Sequence, residues 1–395
     1  MRPDFLAKLT NDHARRVEAG LLRRVRSAKH ARAGRIVLDG RELIDFGSND
    51  YLGLARHPRL IEALSKAASS GVGARASHLL GGHHDAHEAL QQALADWIGY
   101  PRALLFSTGY MAAQGALTGL LGRHDLCLQD RLNHACLIDG ARLADATLLR
   151  YRHGDGDDAA RLLAATPDRR ALLVTDSVFS MDGDIAPLPQ LAELAARERA
   201  WLMVDEAHGL GVLGPQGRGA CAAAGLDAIH VPVWMGTLGK ALGGFGAVIA
   251  GNDELIDALV NGARSYIYTT ALPPALAQAM VVAVGLARAA DGERAHLDEL
   301  IALFRAGAND LGWEPLPSRT PIQPLLVGDS HAALALSRRL EAAACYCPAV
   351  RPPTVPKGSA RLRISLSAAH SIADVEWLLR ALGPRHARRA RRDRS

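Results

Sequence analysis

The sequence predicts an α/β protein: a mostly parallel sheet covered by helices, followed by a smaller α+β unit. Three observations carry this. From Trp97 to Phe245 short apolar runs alternate with helical stretches, which is the punctuation of βαβ units. The runs are apolar throughout rather than alternating, as in strands buried on both faces. Polar side chains then gather at their C-terminal ends, where open α/β sheets place ligands.

Taken in order, residues 4–30 mix apolar positions with Arg and Lys and predict an amphipathic helix lying on a larger body. Residues 35–46 read as a hairpin turning at Asp39-Gly40, and 48–54 as an irregular loop before a helix at 57–69. Strands are expected at 102–107, 126–129, 147–151, 171–176, 201–205, 231–235 and 246–250. Helices at 110–122, 134–144, 156–165 and 187–199 separate most of them. Residues 264–274 read as an extended piece ending in Thr269 and Thr270, with helix near Asp253 and from 274 to 311. Three strands at 324–328, 349–352 and 361–366 complete the pattern. The expected organisation is an N-terminal helix and hairpin (1–48), a large domain (49–278), a small α+β domain (279–384) and a disordered basic tail (385–395).

A chain of 395 residues is long for one core, and 49% apolar with 22% charged residues is ordinary globular composition. No apolar run reaches membrane-span length, and the N-terminus lacks a signal-peptide apolar region. Five cysteines without a C-x-x-C unit argue for a reducing, cytoplasmic setting. The net charge of +5 owes much to the tail. With no interleaved aromatics and no nucleic-acid module, the tail reads as solvated rather than as a nucleic-acid arm. A cationic surface suits an anionic acyl carrier or coenzyme A.

The chemistry centres on residues 201–245. An apolar run ends in Asp205, His208 follows three residues later, and Lys240 stands alone among small residues. A P-loop is excluded, because its first glycine would fall on Trp234 and Ala241 replaces the Ser/Thr that meets magnesium. A strand-end carboxylate, a histidine and a lone lysine are instead the parts that pyridoxal phosphate needs. The Gly109-Tyr110 turn opens a helix and suits a phosphate. His134 could stack on a cofactor ring or cap its helix. Ser180 could bond a ring substituent or belong to a plain Asp-Gly turn. Thr269 and Thr270 suit a phosphate, and Arg351, fixed before Pro352-Pro353, suits a carboxylate. His83 and His87 are four apart on a helix, but no third ligand has matching spacing, and no metal is expected.

Residues 48–54, 176–184, 204–209, 237–240, 268–274 and 351–356 together resemble the α-oxoamine synthases, pyridoxal-phosphate enzymes of the aspartate-aminotransferase fold (fold type I). The resemblance covers about residues 10 to 382. It implies that Lys240 carries the Schiff base and moves the proton, that Asp205 pairs with the pyridinium nitrogen, and that His208 bonds the phenolic oxygen. It implies further cofactor contacts from His134, Ser180, Thr237 and the Gly109–Tyr110 turn. Thr269 or Thr270 would reach the phosphate of a neighbouring subunit, hence a homodimer. Arg351 would anchor the amino-acid carboxylate, with Asn49, Thr354 and Arg23 on the substrate side and Arg24 competing with Arg23 for register. The Arg-Pro-Pro-Thr-Val-Pro run favours decarboxylative condensation of L-alanine with a pimeloyl thioester, on coenzyme A or acyl-carrier protein, in biotin synthesis. The alternative is a relative that joins glycine or serine to another acyl-CoA. The 73–82 loop, Gly-Ala-Arg-Ala-Ser-His-Leu-Leu-Gly-Gly, departs from the Gly-Ser-Gly-rich loop of many relatives.

Overall fold

The computed structural model describes Arg2 and residues 4–385, with the backbone alone at His30. Its contacts divide the chain into two units. One comprises residues 49–180 and 184–295; the other comprises 1–48, 181–183 and the chain from 296 onward.

The first unit is built on a seven-stranded sheet. Across it the order is Arg102–Phe106, Ala247–Gly251, Val233–Thr237, Trp201–Asp205, Ala171–Asp176, Leu126–Asp130, Thr147–Tyr151. All neighbours are parallel except the two pairs made by Ala247–Gly251, which runs antiparallel. The central strands are buried along nearly their whole length, as their apolar sequence requires. Helices Gly109–Leu120 and Ala135–Leu143 close one face through Ala113, Leu117, Leu137 and Ala141 against Met203, Val233 and Ile249. Register puts Asp176 opposite Asp205, and Asp205 opposite Met235. Two carboxylates therefore lie side by side at the C-terminal edge of the sheet.

The second unit holds two small sheets. Ala28–His30, Arg35–Leu38 and Arg41–Asp45 form an antiparallel meander, and Cys345–Tyr346 joins it in parallel. The expected hairpin turn is present: Asp39 (φ 50°) and Gly40 (φ 80°) are both left-handed, as a two-residue turn of matching twist demands. Ile322–Gly328, Ala360–Ser365 and Ala349–Val350 form an antiparallel sheet packed by helix Ser330–Ala342.

Several expectations need correction. The N-terminal helix ends at Glu18, and its apolar Phe5, Leu6 and Leu9 are exposed rather than laid on a body. The strand expected at 231–235 starts two residues later, because Pro232 has no N–H to give and Val231 N–H bonds Asp227 O at 2.9 Å. Residues 264–267 are not extended but form a helical turn, in which Tyr266 packs edge-on to Phe106 and Ser265 Oγ donates to Met111 O at 2.6 Å. The helix expected over 274–311 breaks at residues 289–290. The buried Arg294 guanidinium takes the freed carbonyls of Ala287 (2.7 Å) and Arg288 (3.2 Å). The tail beyond Arg385 lies outside the described residues. Among those described, no single helix is long and apolar enough to cross a membrane.

Candidate active site

The strand-end carboxylates organise the site. Asp205 is 3% exposed and its Oδ1 accepts the Ala207 N–H at 2.9 Å. Burial pushes its pKa up, while Lys240, that N–H and His134 favour the charged form. Its neighbour Asp176 is pushed well above the carboxylate range by burial and by the Asp205 charge. Asp176 Oδ2 accepts the His134 N–H at 2.7 Å. Two carboxylates in one dry pocket are not both comfortable as anions; the Lys240 charge favours ionisation of either, and for Asp205 it is the largest influence opposing burial.

Lys240 Nζ lies 2.9 Å from His208 Nε2, and His208 Nδ1 lies 2.7 Å from Tyr51 Oη. Tyr51 Oη donates to Asn49 Oδ1 at 3.2 Å. With the Tyr51 proton given to Asn49, His208 Nδ1–H donates to the Tyr51 oxygen and Nε2 accepts from Lys240 Nζ, the assignment these contacts support. Asn49, expected on the substrate side, is thus wired to the lysine. Tyr51 was not singled out from sequence; its place in the Ser48–Leu54 loop was the only signal.

His134 occupies the N-cap of helix Ala135–Leu143 and accepts from Cys136 N. Burial lowers its pKa, keeping the ring neutral, so capping and a ring available to a ligand coexist. Gly109 opens the next helix, whose N-cap Thr108 accepts from Met111 N. A side chain at Gly109 would meet only Met235 Cε at 3.5 Å, so the turn is open to an approaching anion. Tyr110 is half exposed and bonds Asp139. Thr237 Oγ1 donates to Gly246 O at 3.1 Å and accepts from Gly239 N at 3.3 Å, tightening the turn that presents Lys240. Ser180 is half-buried; Thr269 is half-buried and Thr270 exposed.

Behind the carboxylates Glu206 is fully buried, accepting from Ser177 Oγ (2.7 Å) and the N–H groups of Ala220 (3.0 Å) and Cys221 (2.6 Å). It anchors the loop after the strand.

In the other unit Arg23, Arg351 and Thr354 line one cavity of about 200 Å³. Arg23 Nη2 donates to Thr354 Oγ1 at 3.0 Å, which places Arg23 rather than Arg24 at this wall. Arg351 donates to Gly20 O, but its buried Nε has no hydrogen-bond partner among the described residues. Burial and the Arg23 charge both lower its pKa, so an anion in the cavity is welcome.

The histidine cluster corrects one expectation. His78, remote in spacing, supplies the third imidazole, and one nitrogen from each of His78, His83 and His87 falls within 4.8 Å. All three rings already make hydrogen bonds. His87 Nδ1 accepts the His84 N–H at 2.9 Å and its Nε2–H donates to Leu272 O at 2.6 Å. His78 and His83 face each other through Nδ1 atoms 2.9 Å apart. The cluster ties the helix start at Asp85 to the segment before Pro273.

The aminotransferase class I and II family profile matches residues 41–382. The chain is 54% identical to 8-amino-7-oxononanoate synthase of Marinobacter nauticus over 93% of both chains. It is 55% identical to that of Alkalilimnicola ehrlichii over 94% of this chain and 95% of the relative. Among solved structures, Sphingomonas wittichii serine palmitoyltransferase superposes with a TM-score of 0.92 at 31% identity, covering 96% of this chain and 97% of the other. The 8-amino-7-oxononanoate synthase of Francisella tularensis does so with a TM-score of 0.75 at 31% identity, over 86% and 96%. The chain belongs to the aminotransferase class I and II family and, within it, to the 8-amino-7-oxononanoate synthases.

Proposed function

We propose that this enzyme joins L-alanine to a pimeloyl thioester with loss of carbon dioxide. The products are 8-amino-7-oxononanoate and free coenzyme A or acyl-carrier protein, in biotin biosynthesis. Its cofactor is pyridoxal phosphate. The observation that carries the reading is the Lys240–His208–Tyr51 chain beside the buried Asp205. A primary amine whose charge acts on a dry carboxylate, together with an open helix N-terminus in the same unit, fits the aldehyde, ring nitrogen and phosphate of that cofactor. When bound, the group supplies an electron sink for negative charge developing on the amino-acid α-carbon.

The protein's own groups do the rest. Lys240 is the residue that would link to the cofactor, and its Nζ would take up and return the α-proton. His208 Nε2 accepts a hydrogen bond from that amine and holds it in place. Asp205, whose charged form Lys240 favours against burial, would pair with the ring nitrogen. His134, Ser180, Thr237 and the Gly109–Tyr110 turn hold the remaining edges. Arg351 anchors the alanine carboxylate, with Arg23 and Thr354 on the acyl side and Asn49 in the substrate-side loop. Thr269 or Thr270 serves the phosphate of a second copy in a cytoplasmic homodimer.

The second reading, serine with a long-chain acyl thioester, is favoured by the likeness to serine palmitoyltransferase. Thiol release from amino acid and acyl-CoA pairs separates them. The proposal expects release with L-alanine and pimeloyl-CoA, or with carrier-bound pimelate. Release only with serine or glycine and another thioester would overturn it.

A further inference from the structure

His153 lies outside every residue assigned above, yet it joins two segments that carry site residues. Its Nδ1 is 3.0 Å from Asp130 Oδ1 and its Nε2 is 2.9 Å from Asp184 Oδ2, and its ring stands edge-on to Phe179 at 4.4 Å. Ionised carboxylates only accept, so both ring nitrogens carry protons and the ring is an imidazolium. The Coulomb balance agrees: burial works against the charge, but the two carboxylates push the pKa up to about 10.

Each aspartate closes a turn, Asp130 through its carboxylate and Asp184 through its backbone carbonyl. Asp130 is 1% exposed; its Oδ1 also accepts Leu132 N–H at 2.7 Å and its Oδ2 accepts Gly154 N–H at 2.9 Å. Those bonds shape the 130–134 turn that ends in His134. Asp184 closes the other turn, its carbonyl accepting Phe179 N–H at 3.0 Å next to Ser180. Only Asp130 is fully out of water, and His153 and Asp184 stay partly exposed, so the Asp130 arm of the bridge is the stronger one; removing the cation leaves a carboxylate on either side of the vacated ring.

We infer that His153 is a positioning residue, a cationic bridge that holds the His134 turn and the Ser180 turn at the spacing the bound cofactor requires. It touches neither substrate nor cofactor, and acts through Asp130 and Asp184. The inference rests on the reading of His134 and Ser180 as cofactor contacts.

The test measures pyridoxal phosphate binding to the apo form of the full chain, by absorbance of the bound cofactor and by its release rate. Turnover is then resolved into kcat and KM for L-alanine. His153→Gln keeps one donor without charge; Asp184→Asn keeps an acceptor and removes one carboxylate. Weakening of cofactor binding by about tenfold or more in His153→Gln, with a smaller loss in Asp184→Asn and a shifted absorption band, is the expected result. Wild-type affinity, spectrum and kcat in both variants, with only a lower melting temperature, would overturn the inference. If His153→Gln does not fold, Asp184→Asn decides alone: unchanged affinity and spectrum overturn the inference, and weakened binding supports it. Failure of the wild-type chain to bind the cofactor would instead sink the underlying reading.

Discussion

Arg351 shows how far one side chain can be read. A guanidinium with one arm on Gly20 O, a buried Nε without a partner and a second arginine across the cavity is arranged for an anion that has two oxygens. Arg351→Lys keeps the charge and loses the fork. The expected result is a rise of about tenfold in KM for L-alanine with a smaller change in kcat, read by steady-state kinetics. Residues such as this, Asp205 and Lys240 were legible because each stands at a strand end or in a Pro- or Gly-fixed turn. Tyr51, Glu206 and His153 were not. The partners of His153 are 23 and 31 positions away along the chain, and that distance hides a bridge which is local only in the folded sheet.

Among the elements, the strands Thr147–Tyr151, Ala171–Asp176 and Trp201–Asp205 follow their apolar runs to the residue. Burial on both faces leaves the central two little choice, while Thr147–Tyr151 lies at the sheet edge and is only partly buried. Where tertiary contacts override local preference, the sequence misleads: helix composition runs through residues 288–291, yet the buried Arg294 side chain ends one helix there and starts another. The loop after the Trp201–Asp205 strand depends on Glu206 in the same way. Glu206→Ala strips three donors of their buried acceptor, and a side chain at Gly209 would fall 1.9 Å from the Glu206 carboxylate, so no slack surrounds it. A loss of roughly 3–5 kcal/mol in denaturant-derived stability is expected for Glu206→Ala. Gly209→Ala should also be destabilising by the same measurement.

At the scale of the whole molecule, opposite histidine shifts shape the pH response. His78 is held down to about 3 by burial first, then by neighbouring His87 and His83. His370, which accepts Ser367 N–H at 3.1 Å and donates to Asp45 O at 3.1 Å, is held down to about 4, mainly by burial. For such groups the unfolded chain binds protons first. Their contribution is present above pH 6.5 and is lost as pH falls from there, to about 4 for His370 and about 3 for His78. His153 has the reverse sign: its contribution is complete below 6.5 and fades as pH rises through about 10. The melting temperature should therefore fall on both sides of neutrality. His370→Asn should flatten the acid limb and His153→Gln the alkaline one, as thermal melts across pH would show.

The central claim is that Lys240, held by His208 beside Asp205, moves the α-proton of alanine. Exchange of that proton with deuterated water, followed by NMR with cofactor-loaded protein and L-alanine alone, tests it most directly. The wild-type chain should exchange it without any acyl thioester, and Lys240→Ala should be slower by about 10²- to 10⁴-fold. Equal exchange rates in the two proteins, or no exchange in the wild type, would contradict the account.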